Sequence, residues 1–163
     1  MHTGKEARHV KKVPRAGRLR VVVLVAQWHT AITAALQEAC IQTLREAGIK
    51  KKNIYHFHVP GSFELPAAAA MAMRQLKPDG IICLGCIVKG ETRHHEYIAY
   101  AVAMGLQQLN TSGCCPVVFG VLTTDNLEQA VARSGGNRGN KGEEAARALM
   151  ELMRLRQQMQ KNR

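Results

Sequence analysis

LRVVVLVA, residues 19–26, is the stretch whose reading decides the fold: apart from Arg20 it is an aliphatic run of strand length. A strand that is apolar at successive positions is buried on both faces, as in a parallel sheet covered by helices on each side. A helix follows it. Thr30 opens that helix, Ile32, Ala35, Leu36, Ala39, Cys40, Leu44 and Ala47 recur at steps of one, three or four, and Gly48 stops it. Residues 54–59 read as a second strand, with Tyr55, Phe57 and Val59 on one face and His56 and His58 on the other. A polar face suits an edge strand better than a metal site. The alternation then repeats: helix 63–76, strand 81–88, helix 93–109 and strand 116–122. Asp125 and Glu128 have the spacing of a capping box for a short helix, and a last helix spans 141–155. Strand and helix alternate without an internal repeat or linker, so a single doubly wound α/β domain is expected.

The chain has 163 residues, 46% of them hydrophobic but only 4% aromatic, which suits an aliphatic core between helices and a parallel sheet. Its formal charge of +11 sits mostly at the ends. Residues 21–153 hold twelve basic and eleven acidic side chains, so the body is nearly neutral and a specific nucleic-acid partner is not expected. There is no secretory h-region and no apolar run of membrane-spanning length, so a cytoplasmic protein is expected, without membrane partners and with its five cysteines reduced. Cys83 and Cys86 have CxxC spacing, but within a strand residues three apart point to opposite faces and do not share a metal.

In doubly wound folds ligands bind beyond the carboxyl ends of the strands. That rule selects Gln27-Trp28-His29, residues 60–64, residues 89–95 and the stretch beyond Val121. Trp28 is the single tryptophan, either a plug on the sheet end or a stacking platform for a flat heterocycle. Glu64 lies near a helix start, where a carboxylate either stabilises the helix or accepts hydrogen bonds from a ligand. Gly90-Glu91-Thr92-Arg93-His94-His95 joins a strand to a helix, a junction whose free N–H groups suit an anion. The positive end of that helix disfavours imidazolium at His94, leaving a neutral ring able to take a proton. The loop 133–142 carries four glycines with Arg133, Arg138 and Lys141, which fits a clamp for an anionic substrate and equally a plain surface loop.

PGSFELP (60–66), GCIVKGETRHHEYIA (85–99), PVVFGVLTTDNLEQA (116–130) and the R…GNKGEEAA ending (133–146) together resemble the lumazine synthase family over about residues 18–155. The resemblance implies a flavodoxin-like three-layer αβα sandwich with a four-stranded parallel sheet, assembled as pentamers whose active sites lie between neighbouring subunits. The resemblance places the enzyme domain at 18–155, and the charge distribution leaves a basic tail at 1–17 and a second at 156–163 outside it. The short form of the 133–141 loop resembles that of relatives whose pentamers close into a sixty-subunit shell. The implied reaction condenses 5-amino-6-(D-ribitylamino)uracil with 3,4-dihydroxy-2-butanone 4-phosphate to 6,7-dimethyl-8-ribityllumazine, releasing phosphate and water, with no cofactor and no metal. By motif, Trp28 would stack on the pyrimidine, with Ser62, Phe63 and Glu64 around the ring and ribityl chain. Ile87 and Val88 would line the pocket, Glu91 and Thr92 form the phosphate turn, and His94 move protons. Arg133 would bind the phosphate, Lys141 contact the ligand, and Phe119 be the aromatic contributed by a neighbour. Relatives commonly have Asn after the aromatic where this chain has His29, so the polar ring contact there differs. Two other readings on the same scaffold are a riboflavin synthase using two lumazines and a non-catalytic flavin-binding or shell-forming protein.

Overall fold

The computed structural model describes residues 13–112 and 114–162. Four parallel strands, β1 (Val21–Ala26), β2 (Ile54–Val59), β3 (Gly80–Val88) and β4 (Val117–Thr124), form a sheet in the order β2-β1-β3-β4. Helices α1 (Thr30–Glu46) and α5 (Lys141–Lys161) pack on one face, and α2 (Leu65–Leu76) and α3 (His94–Thr111) on the other. The unbroken run in β1 follows from this. Val21, Val23 and Val25 meet the α1/α5 layer, whereas Val22, Leu24 and Ala26 meet the α2/α3 layer, and all six are buried. The same alternation sends Cys83 to the α2/α3 side and Cys86 to the α1/α5 side.

The α1/α5 contact is the tightest in the core. A Cβ on Gly142 would collide with the carbonyl oxygen of Leu36, so two helix backbones touch where no side chain fits between them. Asn140 fastens the same junction. Its Oδ1 accepts from Gly142 N at 2.8 Å and Glu143 N at 3.4 Å, capping α5, while its Nδ2 donates to Ala35 O at 3.2 Å.

Several features differ from the sequence reading, beyond shifts of one or two residues at element ends. The short helix α4 (Leu127–Ala132) is capped by Asn126 rather than Asp125. Asn126 Oδ1 accepts from Gln129 N at 2.9 Å, and Gln129 Oε1 accepts from Asp125 N at 3.0 Å, so the box closes through Gln129 and not Glu128. The glycine-rich loop contains a small hairpin, β5 (Ser134–Gly136) with β6 (Gly139–Asn140). The C-terminal helix runs to Lys161, six residues past the expected end, and Gln157 Nε2 donates to Pro14 O at 3.1 Å. That bond reaches a segment expected to be tail: Val13 and Ala16 are buried in the α1/α5 core, and a 3-10 turn spans Ala16–Arg18. Residues 1–12 of the expected tail lie outside the described residues.

β2 is the sheet edge, and its residues from Tyr55 to His58 are exposed. His58 Nε2 lies 3.2 Å from Gln37 Oε1, and its ring meets that of His56 edge-on. Four cysteines are buried and Cys114 is exposed. Burial pushes the Cys40 thiol up to about 12 and those of Cys86 and Cys115 up to about 11, and raises Cys83 further still. Thiolate is the reactive form, so at about pH 8 iodoacetamide should label Cys114 alone, the other four reacting only after denaturation. Peptide mass spectrometry checks this, and native labelling of Cys86 at the rate of Cys114 would contradict it.

Candidate active site

The order β2-β1-β3-β4 makes the chain leave β1 for one side and return to the other, so the switch point lies between β1 and β3. A cleft of about 900 Å³ opens there, over the carboxyl ends of the strands. Three loops build it.

The first follows β1. Gln27 N donates to Val59 O at 3.0 Å and Gln27 O accepts from Thr30 Oγ1 at 2.8 Å, which fixes the exit from the strand. His29 then adopts the left-handed region (φ 58°, ψ 53°), a conformation open to His and Asn but costly for most side chains. This bend turns Trp28 outward to 70% exposure. Trp28 is therefore not a core plug, and its indole is presented to the cleft it lines.

The second loop follows β2. Gly61 is extended (φ −146°), so its need for glycine comes from crowding and not from dihedral angle. A Cβ there would lie 3.1 Å from Glu64 Oε2 and 3.3 Å from Trp28 Cδ1, so carboxylate and indole converge over Gly61. Ser62 is only 6% exposed, and its Oγ has no hydrogen-bond partner among the described residues. A Cβ at Gly85 would come within 2.5 Å of that oxygen, so Gly85 is the space in which Ser62 sits. An unsatisfied buried hydroxyl costs about 1–3 kcal/mol, a cost that a hydrogen-bonding ligand offsets. Phe63 is exposed beside it.

The third loop joins β3 to α3. Ile87 and Val88 floor the cleft, and Thr92 and His94 stand at the first turn of the helix. Thr92 Oγ1 accepts from His94 N at 3.5 Å, and Thr92 O lies 2.9 Å from His95 Nδ1. A carbonyl only accepts, so this contact puts the His95 proton on Nδ1. The remaining N–H groups at the start of an eighteen-residue helix favour an anion here.

One cleft thus collects Trp28, His29, Ser62, Phe63, Glu64, Ile87, Val88, Thr92 and His94. Glu91 belongs to the same turn but does not line it. Phe119 is half-buried in β4, against the α2/α3 layer. Arg133 lines a different cavity, of about 1000 Å³, whose wall includes Thr124, Asn126, Glu128 and Arg138. Lys141 is joined to Arg133 through Lys141 N to Arg133 O at 2.9 Å, and its ammonium pairs with Glu144 at 3.2 Å. A single chain therefore carries two separate groups of candidate residues. Sequence reading selected the loops that hold Gly61 and His95 but missed Tyr97 and Tyr100 in the first cleft. Tyr97 sits one helical step from His94, and Tyr100 one further on, a spacing that could have placed both beside it.

A family model described as 6,7-dimethyl-8-ribityllumazine synthase matches residues 18–157. A protein of that name from Porphyromonas gingivalis is 44% identical over 129 residues, covering 79% of this chain and 80% of its own length. One from Cytophaga hutchinsonii is 45% identical over 117 residues, covering 72% and 74%. Another, from Phocaeicola vulgatus, is 41% identical over 127 residues, covering 78% and 76%.

Proposed function

From the premise that the chain belongs to the 6,7-dimethyl-8-ribityllumazine synthase family, we propose that its cleft at the β1/β3 switch point condenses 5-amino-6-(D-ribitylamino)uracil with 3,4-dihydroxy-2-butanone 4-phosphate. An amine of the pyrimidine attacks the ketone and loses water to give an imine, inorganic phosphate leaves, and ring closure expels a second water to form the lumazine. The work required of the protein is positioning and proton transfer. The observation that carries this reading is the convergence of Trp28, Glu64 and the unpartnered Ser62 hydroxyl beside the start of α3. Trp28 offers a face for the pyrimidine, Ser62 and Glu64 bond its polar edge and ribityl hydroxyls, and His94 moves the protons. The N–H groups at the α3 start, with Thr92, hold the phosphate until it departs.

Arg133, Lys141 and Phe119 are assigned to the site of a neighbouring subunit. The reading is supported by their separation from the first cleft and by the apolar rims, with Phe63, Tyr97 and Tyr100 exposed around one cavity and Leu127 and Val131 around the other. The assembly is proposed to be a pentamer acting in the cytoplasm; no helix among the described residues is long and apolar enough to cross a membrane. Arg133→Ala should chiefly raise KM for the ketose phosphate, because it removes a charge-assisted fork. A mixed assembly tests the division between subunits. When Arg133→Ala and His94→Ala chains are unfolded and reassembled together in equal amounts, random mixing in a ring leaves about one quarter of the sites with both wild-type halves. Steady-state rates should recover accordingly. A mixture no more active than its components would place all of these residues in one chain's own site.

A further inference from the structure

The sequence reads as a neutral body with charged ends, but the fold gathers charge that the sequence disperses. Every strand of the main sheet is parallel, so all four begin at one edge, opposite the cleft, and α1, α2, α3 and α5 end there. Arg15, Arg18 and Arg20 precede β1, and Lys50, Lys51 and Lys52 precede β2. Arg74 and Lys77 precede β3, and Arg20 Nη2 donates to Lys77 O at 2.8 Å across the edge. Arg45 closes α1, and Arg154, Arg156 and Lys161 lie on the final turns of α5, whose Met153 would touch a Cβ built on Gly80, the first residue of β3. Against these twelve basic side chains stand Glu46, Asp79 and Glu151, and Asp79 Oδ2 is engaged by Arg20 N at 2.8 Å. Around the cleft the charges balance, with seven acidic residues (Glu64, Glu91, Glu96, Asp125, Glu128, Glu143, Glu144) against six basic ones.

Favourable interaction with helix carboxyl ends explains a few of these cations, but four helix ends supply only about −2 charges in total. That is too little to neutralise an excess of nine. We propose that this edge is a docking surface for double-stranded nucleic acid, gripped through its phosphate backbone without regard to sequence. Seven of the twelve cations are arginines, the side chain whose planar fork matches phosphate oxygens. The large apolar groups exposed here are Tyr55 on β2 and Leu152, Leu155 and Met159, which recur at three- and four-residue steps along one side of α5. The stripe on α5 carries no aromatic ring, so it offers no row of rings on which single-stranded bases stack.

The test uses the full-length assembled protein and a fluorescein-labelled DNA duplex of about two helical turns of arbitrary sequence, followed by anisotropy between about 50 and 200 mM salt. Lys51→Glu with Lys52→Glu should weaken binding at least about tenfold at low salt and lower the salt slope by about two, while leaving lumazine synthesis and assembly intact. Lys89→Glu with Arg138→Glu, the same change in net charge at the opposite edge, should weaken binding far less. Equal losses in the two double variants would overturn the proposal in favour of undirected charge. Loss on deleting residues 1–12 but not in the Lys51/Lys52 variant would assign binding to the tail alone. Tighter binding to phosphatidylserine–phosphatidylcholine vesicles than to the duplex would make the partner a membrane.

Discussion

His94→Ala is expected to lower kcat by about 10²–10⁴-fold, the usual contribution of a positioned acid or base, with little change in KM for either substrate. His94 stands at the first turn of α3, its backbone N bonded to Thr92 Oγ1, and its ring faces the same cleft as Trp28 and Glu64. Among the described residues the bond at His94 is made by its backbone N and not by its ring. The loss should therefore appear in single-turnover rates measured on assembled, folded protein. His94→Gln tests the chemistry further: an amide keeps a polar group near the same place but does not exchange a proton at neutral pH, so it should not restore the rate. A variant with wild-type kcat would remove His94 from the reaction and leave positioning as the source of catalysis. Uncatalysed condensation of the two substrates sets the floor of the measurement and must be subtracted.

Gly142→Ala should produce the largest loss of stability. The added methyl meets the Leu36 carbonyl, which is α1 backbone and does not rotate aside as a side chain would. α1 and α5 must separate, which strains the Asn140 clamp to Ala35 O and loosens the core around Leu36, Ala146 and Leu149. Overpacking of this kind costs about 1–3 kcal/mol, occasionally more, and backbone collision puts this case at the upper end. At about 2–4 °C per kcal/mol for a chain of this length, Tm should fall by roughly 10 °C. Gly90→Ala is the control. A Cβ there meets nothing within 4 Å, so its melting curve should stay close to wild type. Equal Tm for the two variants would show that the α1/α5 contact yields more readily than its geometry implies.

Much of this architecture is legible in the sequence because burial on both faces leaves a direct trace. Val21 to Ala26 and Ile81 to Val88 are apolar nearly throughout, and the helices between them repeat at three- and four-residue steps. Features set by tertiary contact were not legible. Residues 156–161 carry no apolar stripe that would extend α5, which continues by helix propagation and the bond from Gln157 to Pro14. The cap of α4 moved to Asn126 because Gln129 answers it at both ends, a pairing that the Asp125/Glu128 spacing conceals.

The candidate site shows the same division. Its loops were legible from the rule that ligands sit beyond strand ends, yet the attitude of Trp28 depends on the left-handed turn at His29. The unsatisfied Ser62 hydroxyl depends on its fit against Gly85. The basic edge was hidden most completely. Lys50–Lys52, Arg74 and Lys77 lie far from the termini in sequence, and only parallel topology brings them beside Arg15 and Arg156.

Activity on the proposed pair of substrates is read from product formation. Purified protein is mixed with 5-amino-6-(D-ribitylamino)uracil and 3,4-dihydroxy-2-butanone 4-phosphate, and lumazine and inorganic phosphate are followed together. The two products should appear in equal amounts, at a rate above the uncatalysed reaction and proportional to protein concentration. A rate that does not rise with added protein, measured on folded and assembled material, would contradict it.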